Sequence, residues 1–198
     1  KSLSPKIVCD MISREKDNLR SPDDMEMTSD PRSKKIYTIY TYYEKKMKEH
    51  NAVDFDDIIK KTVELLKSDA EIREYYQRKF RYVLVDEYQD TNPAQFVLTK
   101  LLSDGQRNIM VVGDDDQSIY KFRGATIGNI LGFDNTYSDA KIIKLEQNYR
   151  STQSILNAAN GVIAHNLGRK GKELWTDKDG GEKIVLRILK KSESTLTM

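Results

Sequence analysis

The stretch Val83–Asn92, which reads VLVDEYQDTN, decides the fold class of this 198-residue chain. Its apolar start predicts a buried β-strand, which ends abruptly at the carboxylates of Asp86 and Glu87. In parallel α/β sheets, ligands bind beyond the carboxyl ends of the strands, so both carboxylates are expected at a binding edge. One carboxylate can hold Mg²⁺ directly or through water, and its neighbour can deprotonate an attacking water. The pattern is typical of the metal-binding side of a nucleotide triphosphatase.

A second apolar run, Asn108–Val112, leads into GDDDQSIYKFRGA at residues 113–125. Gly113 is expected to let the backbone turn sharply as it leaves this strand. Gln117 carries both a hydrogen-bond donor and an acceptor, so its amide can interact with a γ-phosphate or with the attacking water. A second strand end therefore supports the nucleotide-binding interpretation of the first.

Aromatic and basic side chains alternate just after Gln117. Tyr120 and Phe122 interleave with Lys121 and Arg123. Rings that stack on bases, combined with cations that bind phosphates, are used by proteins that hold single-stranded nucleic acid. The pattern predicts such a contact close to the nucleotide, and core packing is the alternative interpretation of Phe122.

Strand and helix signals alternate through residues 80–145, which indicates a parallel sheet with right-handed crossovers and an α/β fold. Asn92 and Pro93 are typical of a helix start. The predicted strands cover residues 81–85, 108–112 and 141–145, and the predicted helices run from 92 to about 102 and from 125 to 131. Farther on, the sequence predicts a helix capped by Ser151 that runs to about His165, and then a strand over residues 183–189.

Residues 1–50 are polar and helix-prone, and an amphipathic helix is predicted from about Arg32 to Glu49. Its tyrosines are interpreted as packing residues. Asp54 is the expected N-cap of the next helix, where the helix dipole favours acids in the first turn. The apolar residues expected to share one face of that helix are Phe55, Ile58, Ile59 and Leu66.

The composition argues against several kinds of site but does not indicate what the protein binds. The net charge is only +2, with 32% charged and 38% hydrophobic residues, so any basic surface must be local. Cys9 has no partner for an internal disulfide, and the two histidines do not form a zinc-binding pattern. No run of residues approaches transmembrane length, so we expect a protein of the reducing cytoplasm without a membrane partner.

At four segments the sequence resembles the superfamily 1A DNA helicases of the UvrD/PcrA/Rep group. DEYQDTN at residues 86–92 is similar to the family's motif II, and GDDDQSIYKFRGA is similar to motif III. LEQNYRST at residues 145–152 resembles motif IV, and AVDFDDII at residues 52–59 matches the family's DFDD segment. The resemblance extends from residue 3 to about residue 189, with the motifs in the family's order.

The resemblance implies a RecA-like parallel sheet flanked by helices, preceded by a piece of a mainly helical subdomain. In these terms residues 1–50 belong to a 1B-like helical subdomain, residues 51–145 to the later part of motor domain 1A, and residues 146–198 to the start of a 2A-like motor domain. The implied function is that of a 3′→5′ DNA helicase, which couples hydrolysis of ATP with Mg²⁺ to translocation on single-stranded DNA and to duplex unwinding. The implied partners are single-stranded DNA, junctions of single- and double-stranded DNA, and repair or replication proteins.

The resemblance also implies roles for residues of the two strand-end loops. Asp86 is expected to position Mg²⁺, and Glu87 is expected to activate the hydrolytic water. Gln117 is expected to link the γ-phosphate to the DNA-binding segment that follows it. Gln89 and Asp90 are expected to fix the loop. For an isolated pair of acids, a charged loop end is the alternative, and the neighbouring motifs favour the catalytic interpretation.

Two residues near the end of the third predicted strand also receive implied roles. Arg150 is expected to sense the phosphate, and Tyr149 is expected to stack on the adenine. A structural arginine–carboxylate pair is the alternative for Arg150. The residues implied to contact DNA are Tyr120, Phe122, Arg123 and Phe55.

The family's phosphate-binding P-loop, G-x-x-x-x-G-K-[ST], is absent from these 198 residues. We therefore expect the chain to be an internal fragment of a longer helicase. We also expect it to show no appreciable ATP turnover by itself, because nothing in it cradles the β- and γ-phosphates.

Two other functions are compatible with the same residues. A metal-dependent nuclease would use Asp86 and Glu87 together with the acids at 114–116, and it would degrade DNA with Mg²⁺ but without ATP. A degenerate helicase-like domain would act only as a binding module. A P-loop upstream in the whole gene would count against that second alternative.

Overall fold

The computed structural model describes residues 3–25, 30–166, 168–178 and 180–185. The chain divides into two compact units, residues 1–139 and residues 140–198, and each is described by itself. The helices and strands of the described residues are, in chain order, α1 (Pro5–Asp17), α2 (Pro31–Glu49), α3 (Phe55–Ser68), α4 (Ala70–Lys79), β1 (Val83–Val85), α5 (Pro93–Ser103), β2 (Ile109–Val111), α6 (Gly128–Leu131), α7 (Phe133–Thr136) and α8 (Gln153–Ile163). No helix among them is long and apolar enough to cross a membrane.

Side-chain caps and prolines set the starts of the long helices in the first unit. The carboxylate of Asp54 accepts a hydrogen bond from the N–H of Asp57 at 2.7 Å, which confirms the predicted cap of α3. Asn92 caps α5 in the same way, as predicted. Proline at the first position of α1, α2 and α5 removes no hydrogen bond that the helix would otherwise make. The prediction of α2 from about Arg32 to Glu49 is confirmed to within one residue.

The core of the first unit begins between α1 and α2. Val8 and Ile12 of α1 pack against Ile36 and Tyr40 of α2, and all four side chains are buried. The buried hydroxyl of Tyr40 donates to the carbonyl oxygen of Arg20 at 3.0 Å, so its polar group is satisfied. These contacts confirm the packing interpretation for Tyr40.

A buried ionic cluster, formed by Lys16 with Glu44, Asp54 and Asp57, joins α1 to α2 and α3. The Lys16 ammonium lies 2.7 Å from Asp54, 2.9 Å from Asp57 and 2.9 Å from Glu44, and Lys16 is fully buried. Burial opposes its charge, but the three carboxylates outweigh burial and raise the pKa of Lys16 above its ordinary value. The hydroxyl of Tyr43 donates to Asp54 at 2.7 Å. A lysine is almost never buried to this extent without such partners.

The inner face of α3 differs from the predicted one. Phe55 is 90% exposed and Ile58 is 53% exposed, whereas Leu66 is buried, so the prediction that these apolar residues share one face of the helix is wrong. The reason is that an ion pair occupies the inner face at the start of the helix, where Asp57 faces Lys16. The buried residues of α3 are Asp57, Lys60, Val63 and Leu66.

β1 and β2 form a two-stranded parallel sheet, with Val83–Val85 in register with Ile109–Val111. The α/β prediction is confirmed at this level, as a helix-rich fold with a small parallel sheet. Both strands are shorter than predicted. The prediction that the strands are buried is wrong for the face of the sheet that carries Leu84 and Met110, because these side chains are 70% and 57% exposed. Successive strand residues point to opposite faces, so only alternate side chains of each strand are covered.

The predicted strand over residues 141–145 does not form, and these residues have no regular secondary structure. Among the described residues of the second unit, the backbone instead makes an isolated parallel bridge between Gln147 and Trp175. The N–H of Asn148 donates to the carbonyl of Trp175 at 2.7 Å, and the N–H of Trp175 donates to the carbonyl of Glu146 at 3.1 Å. The apolar run just before this bridge has no neighbouring strand in the described part of the chain, so its β-propensity is not realised.

Four further predictions are corrected. Thr152, not Ser151, is the N-cap of α8, and the N–H of Ser151, outside the helix, donates to Oδ1 of Asn148 at 2.8 Å. α8 ends at Ile163, before His165, and α6 covers only the second half of the predicted helix at 125–131. Residues 183–185 are not in a strand, and the rest of the strand predicted to residue 189 lies outside the described residues.

Candidate active site

The ends of β1 and β2 bring two loops side by side. The N–H of Val112 donates to the carbonyl of Val85 at 2.8 Å, and the N–H of Tyr88 donates to the carbonyl of Val112 at 3.0 Å. The loop after β1, residues 86–92, is called the carboxylate loop below. It carries Asp86 and Glu87, both exposed to solvent. The structure thus places both carboxylates at the carboxyl edge of the sheet.

Glu87 has a left-handed backbone conformation, with φ 49° and ψ 41°. A non-glycine residue in this region costs about 1 kcal/mol or more, and such strain concentrates at functional sites. Its N–H donates to the Asp86 carboxylate at 2.9 Å, and its Oε2 accepts a hydrogen bond from Nε2 of Gln89 at 2.8 Å. The direction of the Glu87 carboxylate is therefore fixed although the residue is exposed.

Gln89 is the buried link between the two loops, with only 1% of its surface exposed. Its Nε2 donates to Glu87 and lies 3.4 Å from Asp90, while its Oε1 accepts from the N–H of Asp114 at 2.9 Å. Because both ends of the amide are used, its orientation is determined. The sequence predicts that Gln89 fixes its own loop, and the structure shows that it also fixes the start of the loop after β2.

Gly113 is required because Gln89 approaches it closely. A Cβ atom at this position would lie 2.7 Å from Oε1 of Gln89, 2.8 Å from Cδ1 of Ile130 and 3.2 Å from the backbone nitrogen of Tyr88. Gly113 is not one of the glycines with a positive φ. The structure therefore gives a reason for glycine that was not predicted, which is the lack of room for a side chain.

Gln117 lies in the 3₁₀ turn Asp115–Gln117 and is exposed. Its Nε2 donates to Oδ2 of Asp114 at 2.6 Å, and Oδ1 of Asp114 accepts from the N–H of Asp116 at 3.0 Å. One carboxylate oxygen from each of Asp114, Asp115 and Asp116 lies within 4.8 Å of the others, a spacing compatible with a cation. In this arrangement the carboxylate of Asp114 caps the turn and holds the Gln117 amide.

Tyr120 and Phe122 share one short turn, residues 120–124, which we call the ring turn. Their ring centroids lie 6.0 Å apart, and the ring planes are tilted by 45°. Phe122 is 65% exposed, so the core-packing alternative is wrong for this structure. The backbone of Arg123 ends the 3₁₀ turn that begins at Lys121, and the Arg123 side chain lies outside the described residues.

The segment that follows the ring turn is bound to the carboxylate loop. Gly124 closes the turn with φ 88°, a conformation that glycine adopts readily. Two residues on, the N–H of Thr126 donates to the carbonyl of Thr91 at 3.0 Å, and Nδ2 of Asn129 donates to the same oxygen at 3.1 Å. Thr91 is itself buried. The chain that leaves the ring turn is therefore held against the carboxylate loop.

Phe55 lies at the first position of α3 and takes no part in the core. Its neighbour Asp54 is held both as the helix cap and in the ionic cluster, so the exposed ring extends from a rigid helix start. The structural interpretation of the acids in this segment is confirmed for Asp54 and Asp57.

Tyr149 and Arg150 belong to the second unit and are both exposed. The hydroxyl of Tyr149 donates to Oε1 of Gln147 at 2.7 Å, and the residue is 74% exposed. The N–H of Arg150 donates to Oδ1 of Asn148 at 2.9 Å, and Nζ of Lys178 donates to the Arg150 carbonyl at 3.3 Å. Within the described part of the chain the Arg150 guanidinium makes no ion pair, so the alternative of a structural arginine–carboxylate pair is not observed.

Two charged residues at the end of α1 were not predicted to have a role. Lys16 follows Val8 and Ile12 at helical spacing, and a lysine on an otherwise apolar face is the signal that could have found it. Oδ1 of Asp17 accepts from Nδ2 of Asn92 at 2.6 Å, across 75 positions of sequence. Nothing in the local sequence marks Asp17.

Two family profiles match the chain. The UvrD/REP helicase N-terminal domain matches residues 1–138, and the UvrD-like helicase C-terminal domain matches residues 143–197. The chain is 50% identical over 185 residues to the ATP-dependent DNA helicase PcrA of Staphylococcus epidermidis, and 49% identical over 185 residues to that of Staphylococcus aureus. Each match covers 93% of this chain and 25% of the relative. The chain thus spans about a quarter of the length of the curated relatives it matches.

Proposed function

The chain belongs to the UvrD/REP helicase family, and on that premise we propose that it is part of an ATP-driven DNA motor. The motor moves 3′→5′ along single-stranded DNA and unwinds the duplex at junctions. The observation that carries this proposal is that Thr126 and Asn129, which follow the ring turn, are hydrogen-bonded to Thr91 of the carboxylate loop. A nucleotide site rigidly connected to a nucleic-acid site suits a protein that couples hydrolysis to movement on DNA. The relatives are named ATP-dependent DNA helicases, which supports ATP and DNA as the two ligands.

We further propose that β1 and β2 belong to a larger RecA-like parallel sheet. The exposed side chains of Leu84 and Met110 leave one face of the pair open for the helices that flank such a sheet. Residues 1–50 then form part of a 1B-like subdomain, residues 51–145 the later part of motor domain 1A, and residues 146–198 the start of a 2A-like domain. The change of family profile between residues 138 and 143 supports a boundary in this part of the chain, slightly before residue 145.

On the nucleotide side, the carboxylate oxygens of the loop fit Mg²⁺, which when bound would polarise the phosphates of ATP. The exposed carboxylate of Asp86, which the N–H of Glu87 holds in place, would bind the ion. Glu87 would take a proton from the attacking water, since its carboxylate is exposed and Gln89 fixes its direction. In the second unit by itself, the exposed guanidinium of Arg150 is suited to binding a phosphate, and the exposed ring of Tyr149 is suited to stacking on adenine.

Gln117 would couple the nucleotide to the DNA. Its amide is exposed at the edge of the sheet, where it is held by Asp114, and it precedes the ring turn by only three residues. An exchange of this partner for a γ-phosphate would change the backbone that leads into the ring turn. The residues proposed to contact single-stranded DNA are Phe55, Tyr120, Phe122 and Arg123.

Phe122→Ala in the full-length protein is expected to weaken binding of single-stranded DNA by about tenfold, because stacking of a base on an aromatic ring contributes roughly 1–3 kcal/mol. ATP hydrolysis without DNA is expected to stay unchanged, since Phe122 lies outside the carboxylate loop. Anisotropy of a labelled oligo-dT measures the affinity, and hydrolysis is measured on the same preparation.

Ile119→Ala is the matched control, because Ile119 is a 70% exposed apolar residue of the same loop. Its DNA affinity is expected to equal that of the wild type. An equal loss of affinity in both variants, or a fall in melting temperature that parallels every loss of activity in Phe122→Ala, would show that Phe122 is not a stacking residue.

A further inference from the structure

Asp17, the last residue of α1, is held in place by its neighbour. Lys16 is locked between three carboxylates in the buried ionic cluster, and α1 contacts α2, α3 and α5. Asp17 itself is partly buried. Its carboxylate therefore projects from a helix end that is fixed against the rest of the first unit.

One oxygen of Asp17 binds the residue that ends the carboxylate loop. Oδ1 of Asp17 accepts from Nδ2 of Asn92 at 2.6 Å. The other end of the Asn92 amide, Oδ1, accepts from the N–H of Gln95 at 2.8 Å and caps α5. Asn92 is therefore oriented by both partners. A hydrogen bond to a charged acceptor is roughly twice as strong as one between neutral groups.

The second oxygen of Asp17 lies against the ring turn. A Cβ atom at Gly124 would lie 2.9 Å from Oδ2 of Asp17, so the carboxylate directly abuts the backbone that closes this turn. Gly124 has φ 88°, and the residues after it are bound to Thr91, the neighbour of Asn92. The two oxygens of one carboxylate thus face the carboxylate loop and the ring turn.

The carboxylate of Asp17 occupies an unfavourable electrostatic environment. Burial and the charge of Asp56, in the first turn of α3, raise the pKa of Asp17 to about 6. The effect of the environment is to penalise the charged form. Ionisable groups in such surroundings are found more often at functional sites than elsewhere, which supports the geometric argument.

We propose that Asp17 is a positioning residue that sets the ring turn relative to the carboxylate loop, an inference that rests on the DNA-binding function proposed above. It acts through Asn92 and the backbone at Gly124, and it contacts neither DNA nor nucleotide itself. Without its carboxylate, the ring turn can shift relative to Glu87. DNA is then bound less tightly by the rings and stimulates hydrolysis only at higher concentration.

Asp17→Ala in the full-length protein, with oligo-dT as the DNA probe, tests this inference. The oligo-dT concentration that half-maximally stimulates ATP hydrolysis is expected to rise about tenfold, the effect of losing one hydrogen bond to a charged group. The KM for ATP without DNA is expected to stay unchanged. Asp17→Asn keeps an acceptor oxygen for Asn92 and is expected to restore most of the response. Asp10→Ala removes an exposed acid from the same helix and is the matched control.

Asn92→Ser removes the donor of the hydrogen bond between Asn92 and Asp17. This variant provides the test if Asp17→Ala does not fold. Serine still caps α5 but has no amide donor, so the oligo-dT concentration for half-maximal stimulation is expected to rise as it does for Asp17→Ala. The variant that carries both substitutions is expected to show no further rise in that concentration. Equal half-maximal concentrations for Asn92→Ser, Asp17→Ala and Asp10→Ala, with a normal wild-type response, overturn this inference alone. A wild-type protein that DNA does not stimulate contradicts the proposed function itself, and the inference falls with it.

Discussion

Glu87→Gln in the full-length protein is expected to lower the rate of ATP hydrolysis by about a hundredfold or more, while ATP and single-stranded DNA still bind. A positioned general base contributes roughly 10²–10⁴-fold to a rate, and an amide cannot take the proton. The loop should keep its shape, because an amide oxygen can accept the 2.8 Å hydrogen bond that Gln89 donates to Glu87. Steady-state hydrolysis with and without oligo-dT, together with equilibrium binding of labelled nucleotide and DNA, measures the separate effects.

Glu71→Gln is the matched control for this change. Glu71 is an exposed glutamate in the first turn of α4, and its variant is expected to hydrolyse ATP at the wild-type rate. Equal turnover by Glu87→Gln and Glu71→Gln would remove Glu87 from the mechanism. Loss of nucleotide binding together with hydrolysis would show that Glu87 maintains the loop and does not act as the base.

Lys16→Met is expected to destabilise the packing of α1 on α2 and α3 by about 3 kcal/mol or more, because it leaves buried carboxylates without their counter-charge. Lys16 is fully buried. Oε1 of Glu44 and Oδ1 of Asp57 are buried and have no hydrogen-bond donor other than the Lys16 ammonium in the described part of the chain. Hydrogen exchange at the backbone amides of α1 and α3 measures the loss as a lower free energy of local opening.

Lys6→Met, which replaces an exposed lysine on the same helix, is the control and is expected to leave this exchange unchanged. If the amides of α1 and α3 exchange equally slowly in both variants, the three acids do not depend on Lys16. A bound proton or an ordered water molecule would then have to supply the hydrogen bonds that Glu44, Asp54 and Asp57 receive from Lys16.

Features that depend on nearby residues were predictable from the sequence. The caps of α3 and α5 follow from Asp54 and Asn92, whose side chains bind backbone N–H groups three residues ahead. The strand ends at Val85 and near Val112 follow from apolar runs that stop at polar residues. The family prediction, made from the order of four motifs, is confirmed by the two matching profiles.

Features that depend on distant partners were not predictable. Phe55 and Leu66 were expected on one apolar face of α3, but the inner face at the start of α3 belongs to the cluster around Lys16, which lies 38 positions before Asp54. The run at 141–145 has the composition of a strand, yet composition cannot show whether a partner strand lies beside it. Gly113 was predicted to serve a turn, and only the structure shows the amide of Gln89 packed against it.

Unwinding of tailed duplexes by the full-length protein tests the helicase function most directly. With ATP and Mg²⁺, a duplex with a 3′ single-stranded tail is expected to separate, and one with a 5′ tail is expected to stay paired, because the proposed motor moves 3′→5′. The Glu87→Gln variant is expected to separate neither. If neither the duplex with the 3′ tail nor the duplex with the 5′ tail separates, the proposed function is contradicted. Degradation of the strands with Mg²⁺ but without ATP would identify a nuclease instead.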